Sequence, residues 1–247
     1  MKKAAIYIGT SGWYYDHWED VLYPPGLAKP KRFGIYSQEF NSVEINATYY
    51  RLPTASMVEG WYAKAPKDFV YTVKAPKEIT HNRKLKDTAE PLSGFLQILT
   101  PMKDKLGAIL YQLPPSLKKD SSLLQDFLKL LPSQPKACFE FRHPSWECDA
   151  TYEILSESGA GHVVVSKKDY PFVEEHTAGI AYHRLHGPEQ LCASSYSDSQ
   201  LRALGERIIL LSESGISCFV FFNNDIGGHA VSNARTLKIL LTEKIQI

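Results

Sequence analysis

Several side chains suited to acid/base chemistry and anion binding stand where strand-like runs of this chain end. In Ser42-Val-Glu-Ile-Asn46, Val43 and Ile45 share one face while Glu44 and Asn46 share the other, because strand side chains alternate with period two. The same rule groups Glu140 with Cys138 and Arg142, and Arg184 and His186 with Tyr182. Lys74, Gln112 and Asn223 close three further runs. Two carboxylates, Glu44 and Glu140, could divide acid and base roles if nearby charges separate their proton affinities. Lys74, Arg142 and Arg184 could clamp a phosphate or carboxylate, and His143 and His186 stand where a proton shuttle or metal ligand belongs. The competing reading is structural: Glu44 with Lys74, and Glu140 with Arg142 or Arg184, could be ion pairs that plug the core. Convergence of residues from several separate strands favours a ligand site.

The elements that must position them are eight strand-like runs alternating with helical patterns. The runs are Ala5–Gly9, Ser42–Asn46, Phe69–Lys74, Ala108–Gln112, Ala137–Phe141, Gly161–Val165, Ile180–His186 and Cys218–Asn223. Helix starts are expected at a Ser56/Glu59 capping box, at Asp120/Ser121, and at Ser197 with Gln200 three residues on. Strict alternation predicts a parallel sheet closed by right-handed crossovers: an α/β fold, a single TIM-like (β/α)8 barrel spanning residues 1–247. In such barrels ligands bind at the C-terminal strand ends. Ser166–Thr177 shows no convincing helix, so the sixth β/α unit is expected to be irregular; an open doubly wound sheet is the alternative fold.

Two loops add candidates. After the eighth run, Asn223-Asn-Asp-Ile-Gly-Gly-His229 leads into a helical pattern, placing the amides of Asn223 and Asn224 at a strand end. The glycines there fit an anion approaching a helix start or, slightly better, ordinary turn chemistry. The first βα loop, from Thr10 to Gly26, is long and aromatic. Trp13 in it and Tyr49 after the second strand are expected to stack on a ligand ring, whereas Trp18 and Tyr23 are expected to pack the loop.

Composition bounds the rest. The chain has 247 residues, is 44% apolar and 22% charged, and carries a net charge of +1. Residues 1–120 hold 17 Lys/Arg against 12 Asp/Glu, an excess that could attract a polyanion, although a solvated lysine-rich face is the commoner meaning of any one cluster. No apolar run reaches the roughly 18 residues of a membrane span, and no secretory leader is visible, so a cytoplasmic protein without membrane partners is expected. Cys138, Cys148, Cys192 and Cys218 form no CxxC pair and are expected to be reduced thiols. Cations beside the carboxylates argue against a tight multi-metal cluster, so neither a metal nor another cofactor is expected.

Seven ordered segments also carry a resemblance. They are Gly9-Thr-Ser-Gly-Trp13, Phe40–Asn46 with Thr48-Tyr-Tyr50, Val73-Lys-Ala-Pro76, Tyr111-Gln-Leu-Pro-Pro-Ser116, Glu140-Phe-Arg-His-Pro-Ser-Trp146, Tyr182-His-Arg-Leu-His-Gly187 and Phe221-Phe-Asn-Asn224. The chain resembles the YecE-like family, domain of unknown function 72, over nearly its whole length. The resemblance implies one β/α barrel of a bacterial or archaeal cytosol and implies no activity. It marks Glu44, Glu140, Arg142, His143, Arg184, His186 and Asn223. The leading expectation is an enzyme acting by acid/base chemistry on a small anionic ligand, a phosphorylated sugar or nucleic-acid fragment. Glu140 would be acid or base beside His143, Arg142, Arg184 and Asn224 would hold the anion, and Trp13 and Tyr49 would stack. The alternatives are a non-catalytic nucleic-acid-binding module and, more weakly, a glycoside hydrolase.

Overall fold

The computed structural model describes residues 3–245. Eight strands form: β1 (Ile6–Thr10), β2 (Ser42–Ile45), β3 (Val70–Lys74), β4 (Leu106–Gln112), β5 (Lys136–Glu140), β6 (Gly161–Ser166), β7 (Ile180–Leu185) and β8 (Ser217–Phe222). They lie in one sheet in the order β1-β8-β7-β6-β5-β4-β3-β2. With helices between all neighbouring strands in sequence but β6 and β7, this is a TIM-like (β/α)8 fold. Each expected run is a strand whose ends shift by at most two residues. The helices are α1 (Arg32–Glu39), α2 (Ala47–Tyr50), α3 (Ala55–Lys64), α4 (Ala89–Leu99), α5 (Ser121–Leu128), α6 (Asp149–Glu157), α7 (Asp198–Glu213) and α8 (His229–Ile245), with short 3-10 and π turns in the loops.

Capping explains where the helices start. Asp120 accepts from Leu123 N–H at the start of α5, and Ser197 and Gln200 form the reciprocal box that opens α7. The start of α3 differs from expectation: Thr54, two residues before Ser56, has the extended backbone of a cap and accepts from Met57 N–H.

Contacts divide the chain into two compact units. The first takes the chain up to Val43, Val164–Phe172 and the chain from Gly179 onward; the second takes Glu44–Val163 and Val173–Ala178. In the first, β1 and β7 both pair with β8 in parallel. Cys218 directs its thiol at the Ile208 carbonyl of α7, so the other face of β8 carries Phe219 and Phe221. These rings pack with Tyr7 and Tyr182. Gly9 lets β1 approach its neighbour: a Cβ there would overlap the Ser42 carbonyl oxygen and lie 2.8 Å from Tyr36 Oη. The first loop is folded onto α1. Trp18 is buried and stacks on Tyr36, Tyr23 is buried, and Arg32, buried in α1, pairs with Asp16 and Glu19. Hydrogen bonds from Lys29 and then Arg32 hold the Asp16 carboxyl below its ordinary range.

In the second unit β3, β4 and β5 pair successively in parallel. Tyr111 and Phe139 stack on each other and meet Phe127 of α5, so Glu140 and Cys138 take the face turned away from that helix. The irregular sixth unit is present: no helix separates β6 from β7. Part of this connection is pinned instead. Thr177 Oγ1 donates to Ala160 O at 2.6 Å and accepts from His162 N at 2.8 Å, while the His162 ring reaches Glu175 O and the Glu147 carboxylate. None of the four cysteines is in a disulfide, and burial raises the Cys218 thiol to about 12. Among the described residues no helix is long and apolar enough to cross a membrane.

Candidate functional site

The second unit assembles a continuous polar chain across three neighbouring strand ends. Lys74, the last residue of β3, donates from Nζ to Gln112 Oε1 at 2.9 Å. Gln112, the last residue of β4, donates from Nε2 to Glu140 Oε2 at 3.0 Å. Glu140, the last residue of β5, pairs through Oε1 with Arg142 Nε. Lysine can only donate and an ionised carboxylate can only accept, so both neighbours fix the orientation of the Gln112 amide. Parallel register explains the assembly, since Gln112 lies directly beside Glu140 on the paired strands. Glu140 is fully buried, a position in which an ionised carboxylate needs such partners.

Above Lys74 sits a ring wall. Its ammonium lies 4.2 Å from the Tyr49 ring centroid, a cation–π contact, and His81 meets the same ring edge-on at 5.0 Å. Burial, then Tyr50, keeps the Tyr49 phenol above its ordinary value. Thr48 Oγ1 donates to the Lys74 carbonyl at 2.6 Å and anchors α2 against β3. His81 Nδ1 lies 2.9 Å from Thr80 Oγ1. The imidazole is driven down to about 4, by burial first, then by Lys74 and Arg142, with Glu140 opposing. The cations outweigh the carboxylate at that ring, so His81 is neutral at physiological pH in a positive field.

Two more second-unit candidates are Glu44 and His143. Glu44 is fully buried on β2. His143 caps the short 3-10 turn Pro144–Trp146: its Nδ1 accepts from Ser145 N at 3.1 Å and lies 2.8 Å from Ser145 Oγ. That leaves Nε2 as the nitrogen through which a neutral His143 would donate.

The first unit has its own strand-end cluster. Arg184 of β7 and His186, just past it, are almost completely buried. Arg184 Nη1 lies 3.4 Å from His186 Nε2, and Asn223 Nδ2 lies 2.9 Å from His186 Nδ1. A neutral imidazole accepts at one nitrogen only, so the ring's tautomer selects between these two neighbours. Asn224 is fully buried, and its Oδ1 has no hydrogen-bond partner among the described residues. Its Nδ2 donates to Ser194 O and to Asn233 Oδ1, both at 2.9 Å, while Asn233 also binds Tyr196 at both its backbone N and O, fastening the loop after β7 to α8. Trp13 is 7% exposed and packs edge-on against Phe33 rather than standing open as a platform; its buried Nε1–H has no hydrogen-bond partner among the described residues.

Sequence reasoning missed His81 as a site residue and placed Gln112 among the converging strand-end residues without giving it a role. His81 lies seven positions beyond Lys74, on a π-helical turn, Glu78–Asn82, that no periodicity foretells.

A family model described as protein of unknown function DUF72 matches residues 7–247. The chain belongs to the DUF72 family. Among DUF72 relatives, the UPF0759 protein YunF of Bacillus subtilis is 28% identical, the alignment covering 96% of this chain and 94% of that one. UPF0759 protein YecE of Escherichia coli K12 is 26% identical over 71% of this chain and 64% of its own length. A crystal structure of a DUF72 family protein from Thermotoga maritima matches with a TM-score of 0.88 at 31% identity, covering 96% of this chain and 99% of that one. One from Enterococcus faecalis, 20% identical, matches with a TM-score of 0.84 over 96% and 95% of the two chains and shares the fold.

Proposed function

We propose that this protein is an enzyme acting on a small anionic, ring-bearing molecule, a phosphorylated sugar or a nucleic-acid fragment, by acid/base chemistry at the ends of β3, β4 and β5. The observation that carries the reading is the strand-end chain Lys74–Gln112–Glu140–Arg142 with Tyr49 over Lys74 and His81 edge-on to that ring, where burial and then the two cations keep the imidazole neutral. A neutral imidazole is free to accept a proton, an anion bound by the same cations would raise its low proton affinity toward the working range, and those cations would stabilise negative charge developing on the ligand. Glu140 holds Arg142 directly and Lys74 through Gln112, so both cations are oriented by hydrogen bonds and charge. Its burial and charged partner suit it to this electrostatic role better than to donating a proton, so the acid/base task moves to His81.

The test is a thermal-shift panel of sugar phosphates, nucleotides, short DNA and RNA and neutral oligosaccharides, run well above the expected dissociation constants, followed by turnover assays. A phosphorylated small molecule should stabilise wild type, Lys74→Met should lose most of that shift, and His81→Gln should keep binding and lose turnover. Stabilisation by neutral oligosaccharides alone would sink the reading. A second reading, nucleic-acid binding without turnover, draws on the excess of basic residues in positions 1–120. It requires that only nucleic acid stabilises the protein and that salt erases the effect.

A further inference from the structure

Next to the ring wall lies a separate pocket of about 500 Å³ in the second unit, and Tyr49 lines it too. We propose that this pocket is a second anion subsite, so that the ligand carries two anionic groups, one at Lys74 and Arg142 and one in the pocket, joined across Tyr49. The proposal rests on the reading of the Lys74 end as an anion site.

Charge distinguishes this pocket from an ordinary surface cleft. Arg83 on its wall is already committed, donating to Glu78 at 2.8 Å and to Asp87 O at 2.9 Å, and Glu78 also takes Asn82. Arg51 and Lys77 line the same pocket, and their side chains make no hydrogen bond or ion pair among the described residues; Lys77 adds only a weak pull on the neighbouring Glu78 carboxyl. Glu90 is the opposing carboxylate on the wall, leaving the cations in excess once the Arg83–Glu78 pair cancels. Two cations whose side chains make no hydrogen bond or ion pair, set around a concavity, suit an anion, and the volume is in the range of small-molecule sites, which gives room for the scaffold carrying that anion. Tyr50, 75% exposed and edge-on to Tyr49 at 4.9 Å, adds an apolar ring at the lip. Two sources share this chemistry: a sugar bearing two phosphates, and a 5′-phosphorylated dinucleotide.

Isothermal titration with three probes separates them: glucose 6-phosphate with one anionic group, fructose 1,6-bisphosphate, and 5′-phosphorylated dithymidine. At least one two-anion probe should bind wild type about tenfold tighter than glucose 6-phosphate, and the one that does identifies the source. The double variant Arg51→Ala/Lys77→Ala should lose that gain while its affinity for glucose 6-phosphate stays the same. Both side chains are exposed, and an unchanged melting temperature without ligand would show that the fold is intact. The proposal is overturned if neither two-anion probe exceeds the single-anion one, if no probe binds, or if the double variant weakens all probes equally. Lys74→Met isolates the underlying reading. If it leaves every affinity unchanged while Arg51→Ala/Lys77→Ala removes the two-anion gain, the pocket stands as an anion site and the role given to Lys74 falls.

Discussion

At the residue scale, the unusual group is His81, because its proton affinity is set by its surroundings. Its value near 4 in the folded chain lies below the ordinary 6.5. Between those values the unfolded state binds the extra proton and the folded state does not, so stability is greatest above about pH 6.5 and declines as pH falls toward 4. The ring is only half-buried, so solvent screening reduces the loss to on the order of 1 kcal/mol. Denaturant melts of wild type and His81→Gln from pH 7 to 4 should show the variant losing less stability over this window; parallel curves would mean that His81 is not depressed. Activity, once a substrate is found, should show no acid limb near 6.5. Asp225 is shifted the opposite way for a carboxyl: burial raises it, against the smaller pull of His17. The folded state then holds the proton longer, so this group's contribution weakens as pH rises above the ordinary 3.8. Asp225→Asn should therefore equal or exceed wild type in melting temperature at pH 7, by a degree or so at about 0.5 kcal/mol.

At the element scale, the strands were legible because apolar alternation stops at polar residues, and register then brings Gln112 beside Glu140. The faces of Glu140 and Arg184 followed from the same alternation. Loop chemistry was less legible. Thr54 rather than Ser56 caps α3, since both are good caps and only the backbone path decides between them. The place of Asn224 after β8 marks it as a ligand amide but does not reveal that its Nδ2 also fastens the loop after β7. His81 was hidden because its approach to Tyr49 is made by a π turn and not by strand alternation. Two substitutions test the elements. Gly9→Ala forces a methyl group against the Ser42 carbonyl oxygen and should cost several kcal/mol or prevent soluble folding; an ordinary melting temperature would contradict the close approach of β1. Asn233→Ala removes the hub of the loop after β7 and should cost about 2–4 kcal/mol, read by urea denaturation.

For the whole molecule, the eightfold alternation and the family were both readable before any coordinates, because each rests on patterns repeated along the full chain. The chemistry was readable only as a set of strand-end residues, since an electrostatic field depends on which of them meet. The uneven charge of the chain bears on its ligand. A small phosphorylated ligand held by a few cations should lose less than about tenfold in affinity between 50 and 200 mM salt, whereas nucleic acid held by many phosphate contacts would lose about 10³-fold or more.

The central claim, that an anion binds beside a neutral His81, is tested most directly by NMR titration of the His81 ring, in the free protein and with glucose 6-phosphate or fructose 1,6-bisphosphate added. The account predicts a midpoint near 4 in the free protein. It also predicts an upward move when the anion offsets the field of Lys74 and Arg142. A free midpoint at the ordinary histidine value, unmoved by either anion, would contradict it.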